Sequence, residues 1–137
     1  MTIKNLMRFK KKLEKQVVDN PEKKVKQLIT RACMIVESRA IESILRDPKT
    51  GATYGKHIAS AAGEPPASDT GFLARSISFS VEENKGEVIG MVKASAPYAA
   101  YLEFGTRNIA PRPYMQPALE QNKPKIRKMF QEGGLIK

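Results

Sequence analysis

Aromatic, arginine and proline side chains are concentrated between Ala96 and Leu119, the stretch with the greatest potential for binding chemistry in the sequence. Pro97 favours the first position of a helix and Gly105 can end it in a left-handed conformation, so we predict a short helix between them. Aromatic rings provide a large contact area at a low cost in conformational entropy. The rings in this stretch belong to Tyr98, Tyr101, Phe104 and Tyr114.

Two interpretations of these rings are open from the sequence. In the first, Tyr98, Tyr101 and Phe104 face the hydrophobic core, as the aromatic residues of a small plugging helix would. In the second, they form a wall behind polar side chains that contact another protein. Their spacing places the rings close together on one short helix, which fits either interpretation.

The arginines of this stretch favour a contact surface. Arg107 and Arg112 lie in predicted loops, and Pro111 and Pro113 stiffen the backbone on both sides of Arg112, which can therefore aim its side chain outward. The planar guanidinium group can bind a partner's carboxylate or backbone carbonyl groups. Glu103 is expected to pair with Arg107, one helical turn further on. We expect a subunit or partner interface at Arg107, Arg112, Tyr114 and Glu103, supported by structural residues Tyr98, Tyr101, Phe104, Gly105, Pro111 and Pro113.

The sequence offers no constellation for catalysis or metal binding. The chain has one cysteine, Cys33, and one histidine, His57, too few for a zinc cluster. Cys33 has no histidine or acid paired with it in the sequence, so we interpret it as a small core residue rather than a nucleophile. We expect no enzymatic activity, no cofactor and no small-molecule substrate.

The segment Y-A-A-Y-L-E-F-G-T, followed by P-R-P-Y-M-Q-P-A-L, resembles the signature of a tail-component family of long-tailed bacteriophages and prophages. These are the neck or tail-completion proteins, of the gene-product-ten-like type. The upstream stretch G-E-P-P-A-S-D-T-G-F-L-A-R-S-I (Gly63–Ile77) resembles the second block of the same family. Together the two blocks cover Gly63–Leu119.

The resemblance implies a structural virion protein that completes the tail and helps to join it to the head. It also implies a hexameric ring, stacked near the tail terminator and the head-closure or tail-tube proteins. Such a protein would be assembled in the host cytoplasm and would have no membrane partner. No apolar run in the sequence approaches the roughly 20 residues of a membrane span.

Positive charge dominates the chain and its N-terminal end in particular. Its 137 residues include 24 Lys and Arg against 14 Asp and Glu, a formal net charge of +10. Ile3–Val18 is predicted to be a basic amphipathic helix with a thin apolar stripe. Its cations form a solvated face, or contact packaged DNA or an acidic partner: Lys10, Lys11, Lys12 and Lys15. An alternative function is therefore that of a small basic DNA-binding protein without sequence specificity.

The remaining pattern predicts one α+β domain, residues 1–137. Apolar spacing predicts a long helix from Pro21 to about Arg46, and alternation predicts a strand from Ile77 to Val81. Val88–Ala94, apolar on both faces, is predicted to be an inner strand or to meet a partner. A C-terminal helix is predicted from Leu119 to Gln131.

The expected architecture is a small antiparallel sheet packed by the long helix and the C-terminal helix. The basic N-terminal arm helix (residues 1–20) and the segment 47–70 would protrude from it. Segment 47–70 is rich in glycine and proline, and we predict a long flexible loop or a hairpin there.

Overall fold

The computed structural model describes residues 2–3, 8–10 and 21–136. These residues form an α+β domain, as predicted. The strands are β1 (Thr2–Ile3), β2 (Arg8–Lys10), β3 (Thr53–Tyr54), β4 (His57–Ile58), β5 (Ile77–Asn84) and β6 (Glu87–Ala94). The helices are α1 (Pro21–Leu45), α2 (Phe72–Arg75), α3 (Ala99–Phe104) and α4 (Met115–Glu132).

Strand β6 is the central strand of the main sheet. β5 pairs with it in antiparallel register along its whole length, with Phe79 opposite Val92, and β1 and β2 pair with its other edge. Every second residue of β6, beginning at Val88, is buried on the side of the sheet that packs on α1. The prediction of an inner strand is therefore confirmed.

The turn between β5 and β6 has positive backbone φ angles at Lys85 (48°) and Gly86 (80°). A two-residue hairpin loop whose twist matches that of the strands requires positive φ at both central residues. Lys85 is therefore held in a left-handed conformation by its position in the hairpin.

The predicted helix Ile3–Val18 is wrong for the part of it that the structure describes. Ile3 and Arg8–Lys10 lie in strands β1 and β2, with Ile3 opposite Val92 and Arg8 opposite Ile89. A thin apolar stripe gives a helix little stability of its own, whereas the edge of β6 offers unpaired N–H and C=O groups. Lys11, Lys12 and Lys15 lie outside the described residues.

The predicted long helix is present as α1, which contributes more buried apolar side chains than any other described element. It begins at Pro21, and its buried positions recur at helical spacing: Val25, Leu28, Ile29, Ala32, Cys33, Val36, Ala40 and Ile44. Leu45, the last residue of the helix, is exposed. Cys33 is fully buried, and burial, with a contribution from Glu37, raises the pKa of its thiol to about 11. A thiol in that state is a packing group and not a nucleophile.

Helix α4 packs antiparallel to α1. Near its start, Gln121 accepts a hydrogen bond from Nε of Arg39 (2.9 Å). Just after its end, Gly133 lies so close to α1 that an added Cβ would be 2.6 Å from Cδ1 of Leu28. The helix starts at Met115, four residues before the predicted Leu119. The side chain of Glu103 accepts hydrogen bonds from the first backbone N–H groups of α4 and so stabilises this earlier start.

The segment 47–70 contains the short antiparallel hairpin of β3 and β4 and is held by one carboxylate. Glu64 accepts hydrogen bonds from the backbone N–H of Thr50 (3.0 Å), the Thr50 hydroxyl and the backbone N–H of Ala61 (2.8 Å). These hydrogen bonds, the one from the Thr50 hydroxyl most of all, lower the pKa of Glu64 from 4.5 to about 2. The carboxylate thus joins two points of the loop that are fourteen positions apart in the sequence.

We expect the loop contacts of Glu64 to be lost only at strongly acidic pH. The folded pKa is depressed, so the stabilising contribution is present above pH 4.5 and disappears as the pH falls toward 2. The amide NMR signals of Thr50 and Ala61 should shift together with a midpoint near pH 2, and these shifts should vanish in Glu64→Gln. A midpoint near 4.5 would show that the carboxylate does not hold the loop in solution.

Candidate interaction surface

Helix α3 buries a charged side chain and exposes aromatic ones. Its buried residues are Ala99 and Glu103, the latter 5% exposed, whereas Tyr101 and Phe104 are 59% and 70% exposed. Helices at the surface of a domain usually bury their large apolar side chains and expose their charges.

On the inner side, Glu103 caps helix α4. Its Oε2 accepts hydrogen bonds from the backbone N–H groups of Tyr114 (2.8 Å) and Met115 (3.1 Å), and its Oε1 accepts one from Gln116 (2.7 Å). The first N–H groups of a helix have no partner within the helix and carry partial positive charge, which a carboxylate neutralises. The expected pair of Glu103 with Arg107 is therefore wrong, and Glu103 is not accessible to a partner.

Tyr114 is a core residue and not an interface residue. Its side chain is fully buried, and its hydroxyl donates a hydrogen bond to the carbonyl of Ala99 (3.1 Å). Burial raises the pKa of the phenol above its ordinary value, and the nearby charge of Glu103 adds to this effect. The expected contact of Tyr114 with a partner is wrong, because no part of the ring reaches the surface of this fold.

Arg112 is directed inward as well. Its Nη1 donates hydrogen bonds to the hydroxyl of Ser60 (2.8 Å) and to the Ser60 carbonyl, and its backbone N–H donates to the Leu102 carbonyl (2.6 Å). Arg112 therefore ties the segment after β4 to α3, and the expectation that it points outward is wrong. Arg107 is exposed in the loop that follows α3, as its predicted role requires.

Gly105 is needed to form this loop. Its φ is 75° and its ψ is 174°, a region that residues with a Cβ rarely adopt, and a Cβ would lie 2.8 Å from the Ile109 carbonyl oxygen and 2.9 Å from Pro111. The positive φ agrees with the expected helix stop, although the conformation is extended rather than left-handed helical. Pro111 and Pro113 follow in extended chain before α4.

On the outer side of α3, four rings form a continuous exposed patch. Tyr98, Tyr101 and Phe104 follow one another at intervals of three residues, and Phe72 of α2 packs against Tyr98 with ring centroids 6.2 Å apart and planes tilted by 44°. We call these four residues the aromatic surface. The interpretation of Tyr98, Tyr101 and Phe104 as core residues is wrong. Sequence reasoning missed Phe72, although it lies in the Gly63–Ile77 block.

A cleft of about 400 Å³ lies beside the aromatic surface, between α2, α3 and the segment around the β3–β4 hairpin. Phe72, Tyr98 and His57 contribute to its walls, and Arg112 and the C-terminal end of α1 line it as well. Arg75 donates a hydrogen bond from Nη1 to the carbonyl of Thr70 (3.1 Å), a residue of the cleft wall. The cleft therefore combines apolar walls with the guanidinium group of Arg112.

Within the described residues, no group of three or more His, Cys, Asp and Glu side chains is placed to hold a metal ion. In the same part of the chain, no helix has the length and apolar character needed to span a membrane. What the surface of α2 and α3 offers is area for protein contact, with rings and guanidinium groups of the kind enriched at interfaces.

The protein is thus an α+β domain with an exposed aromatic surface. A family model described as "Bacteriophage HK97-gp10, putative tail-component" matches residues 7–105, well over half of the chain, and the protein belongs to this family. No curated protein and no solved structure matches the chain. Membership supports a structural role as a phage tail component, with a location in the virion. The matched residues include the aromatic surface and end at Gly105.

Proposed function

We propose that the protein is a structural component of the phage neck, which completes the tail and helps to join it to the head. The observation that carries this proposal is the aromatic surface, located on the stretch that the tail-component family shares. Its rings are exposed to solvent in the isolated domain. Exposed apolar patches of this kind mark sites of protein association.

The hydrogen bonds of the buried Glu103 side chain fix the orientation of α3. Rotating α3 to bury Tyr101 and Phe104 would withdraw Glu103 from the N-terminus of α4, and the buried N–H groups there would lose their acceptor. The contacts of Glu103 thus keep the rings exposed, although a surface helix usually buries its large apolar side chains. A partner that covers the rings would gain their burial without any rearrangement of the domain.

The proposed assembly is a ring of copies, hexameric by family resemblance, that contacts the tail terminator and the head-closure or tail-tube proteins. Contacts between two different surfaces of one protein close into rings when the rotation between copies permits. Arg107, exposed at the end of α3, belongs to the proposed contact area. We propose no enzymatic step.

Contact with packaged DNA or with an acidic protein surface is part of the same proposal. It would use the basic residues of the N-terminal arm, Lys10, Lys11, Lys12 and Lys15. Lys10 lies in β2, opposite Glu87 in the register of the sheet. The net charge of +10 supports a location close to a polyanion.

The proposal is tested by removing the rings without disturbing the fold. In cells whose phage lacks this gene, complementation with Tyr101→Ala/Phe104→Ala should reduce joined head–tail particles by about tenfold or more, because interface rings often contribute over 2 kcal/mol each. The free energy of unfolding should stay within about 0.5 kcal/mol of wild type per substitution.

Met34→Ala is the matched control, since Met34 is an exposed apolar residue on α1, outside the aromatic surface. It should yield joined particles at the wild-type level. Normal joining by the double variant would refute the role assigned to the aromatic surface.

A further inference from the structure

Strand β5 lies at an edge of the main sheet. β6 pairs with one side of it, and among the residues that the structure describes no strand pairs with its other side. On the β6 side, the carbonyl of Ser76 accepts a hydrogen bond from the backbone N–H of Ser95 (3.1 Å). Backbone groups alternate in direction along an antiparallel strand, so those of Ile77, Phe79 and Val81 point away from β6. Such groups are a template for another strand.

β5 lacks the features that usually protect an edge from pairing. Natural sheets use prolines, lysines, β-bulges or very short strands for this purpose. β5 is eight residues long, its register with β6 is continuous from Ile77 to Asn84, and its sequence I-S-F-S-V-E-E-N contains neither proline nor lysine. By contrast, β1 and β2 have only two and three residues. The outer edge of β5 is therefore suited to pairing with a further strand.

The two faces of β5 restrict the kind of strand that fits. Ile77 is buried, and Phe79 and Val81 on the same face are half-buried, whereas Ser78 and Ser80 lie on the exposed face. An added strand would cover more of Phe79 and Val81 if it carried apolar residues on that same face. Its other face would meet solvent. The occupant must therefore alternate apolar and polar residues, as β5 itself does.

We propose that the occupant is β5 of a second copy, paired antiparallel about a two-fold axis through Phe79. In this register, Phe79 lies opposite its own counterpart and Ile77 lies opposite Val81, so every apolar residue meets another. A shift of two residues in one direction places Ile77 opposite Glu83. The same shift in the other direction places Val81 opposite Arg75. A shift of one residue sets the apolar face of one strand beside the exposed face of the other.

The polar residues suit the same register. Ser78 lies opposite Ser80, in a pair whose Cα atoms are about 4.5 Å apart in a regular sheet. Glu83 lies opposite Arg75, a residue of opposite charge, and both are exposed. The contact uses the same surface on both copies and so closes at two. It belongs to the free protein before assembly and is independent of the proposed neck role.

Disulfide cross-linking tests the register. Chains with Ser78→Cys and chains with Ser80→Cys are coexpressed with tags of different size, purified together and mildly oxidised. A cross-linked heterodimer should form, because the two Cα atoms lie within the range that a disulfide spans. Each variant expressed alone should yield about tenfold less cross-linked product, since neither position faces its own counterpart. The native Cys33 is fully buried and does not compete.

Sedimentation velocity tests the dimer itself. The wild-type protein should sediment as a dimer at high concentration. Phe79→Asp brings two carboxylates together at the axis and should raise the dissociation constant by about tenfold or more. Phe79→Leu keeps an apolar residue there and should still dimerise, as should Tyr101→Ala on the aromatic surface. Circular dichroism checks that each variant is folded.

The outcomes separate this contact from the proposed function. A wild-type protein that stays monomeric at its highest soluble concentration would overturn the contact and leave the neck role standing. Equal cross-linking of the mixed and the single cysteine variants, or none in any of them, would also overturn it. A failure of head–tail joining to depend on the aromatic surface would leave the dimer standing.

Discussion

Glu103→Ala should lower the free energy of unfolding by about 4.5 kcal/mol or more, since each of three hydrogen bonds to a charged group contributes at least about 1.5 kcal/mol. The carboxylate is buried and accepts from the backbone N–H groups of Tyr114, Met115 and Gln116. Alanine would leave the first turn of α4 without an acceptor, away from water. Urea unfolding followed by circular dichroism should give a lower midpoint with an unchanged slope.

Two further variants serve as comparisons for Glu103→Ala. Glu103→Gln keeps one acceptor oxygen but turns a donor toward the remaining N–H groups, so its destabilisation should fall between wild type and alanine. Glu132→Ala removes an exposed carboxylate at the other end of α4 and should change stability by no more than about 0.5 kcal/mol. Equal stability of Glu103→Ala and Glu132→Ala would mean that the cap contributes nothing.

Tyr114→Ala should destabilise the domain by about 3–5 kcal/mol, the range for removing a fully buried aromatic side chain. Phe104→Ala should change the free energy of unfolding by no more than about 0.5 kcal/mol, because that ring is exposed to solvent. The two residues are close in sequence and similar in size, so their thermal midpoints measure the difference in burial directly. Tyr114 is fully buried, and Phe104 is 70% exposed.

Tyr114→Phe separates packing from the hydrogen bond to Ala99. It keeps the ring but leaves the Ala99 carbonyl without its donor, and it should cost about 1 kcal/mol. If Phe104→Ala instead melted as early as Tyr114→Ala, Phe104 would belong to the core, and the aromatic surface would lose its central member.

The main helices and strands of this fold could be predicted from the sequence because each buries a defined part of its surface and exposes the rest. Helix α1 contacts the sheet with one side and α4 with another, so its broad apolar stripe appears at helical spacing. In β5, serine alternates with Ile77, Phe79 and Val81 because only one face meets α1. In both elements, the local pattern and the packing agree.

The directions of the side chains at the candidate interaction surface could not be predicted in the same way, since they depend on contacts between residues that are distant in sequence. The orientation of α3 is decided by the hydrogen bonds of Glu103 to residues 11 to 13 positions further on. The direction of Arg112 is decided by Ser60, 52 residues away. A six-residue helix is too short to carry a periodic signal that tells inside from outside.

The N-terminal strands were missed for a related reason. The segment before α1 has helical spacing of its apolar residues, but strand pairing depends on the exposed edge of β6, which lies some 80 residues later in the chain. Local propensity is a weak prior that tertiary pairing overrides.

The most direct test of the neck role is the position of the protein in the particle. Purified virions of the phage or prophage that encodes the chain are labelled with an antibody against this protein and imaged by electron microscopy. The account predicts label at the junction of head and tail, with several copies per particle. Label along the length of the tail or at its tip, or particles without label, would contradict it.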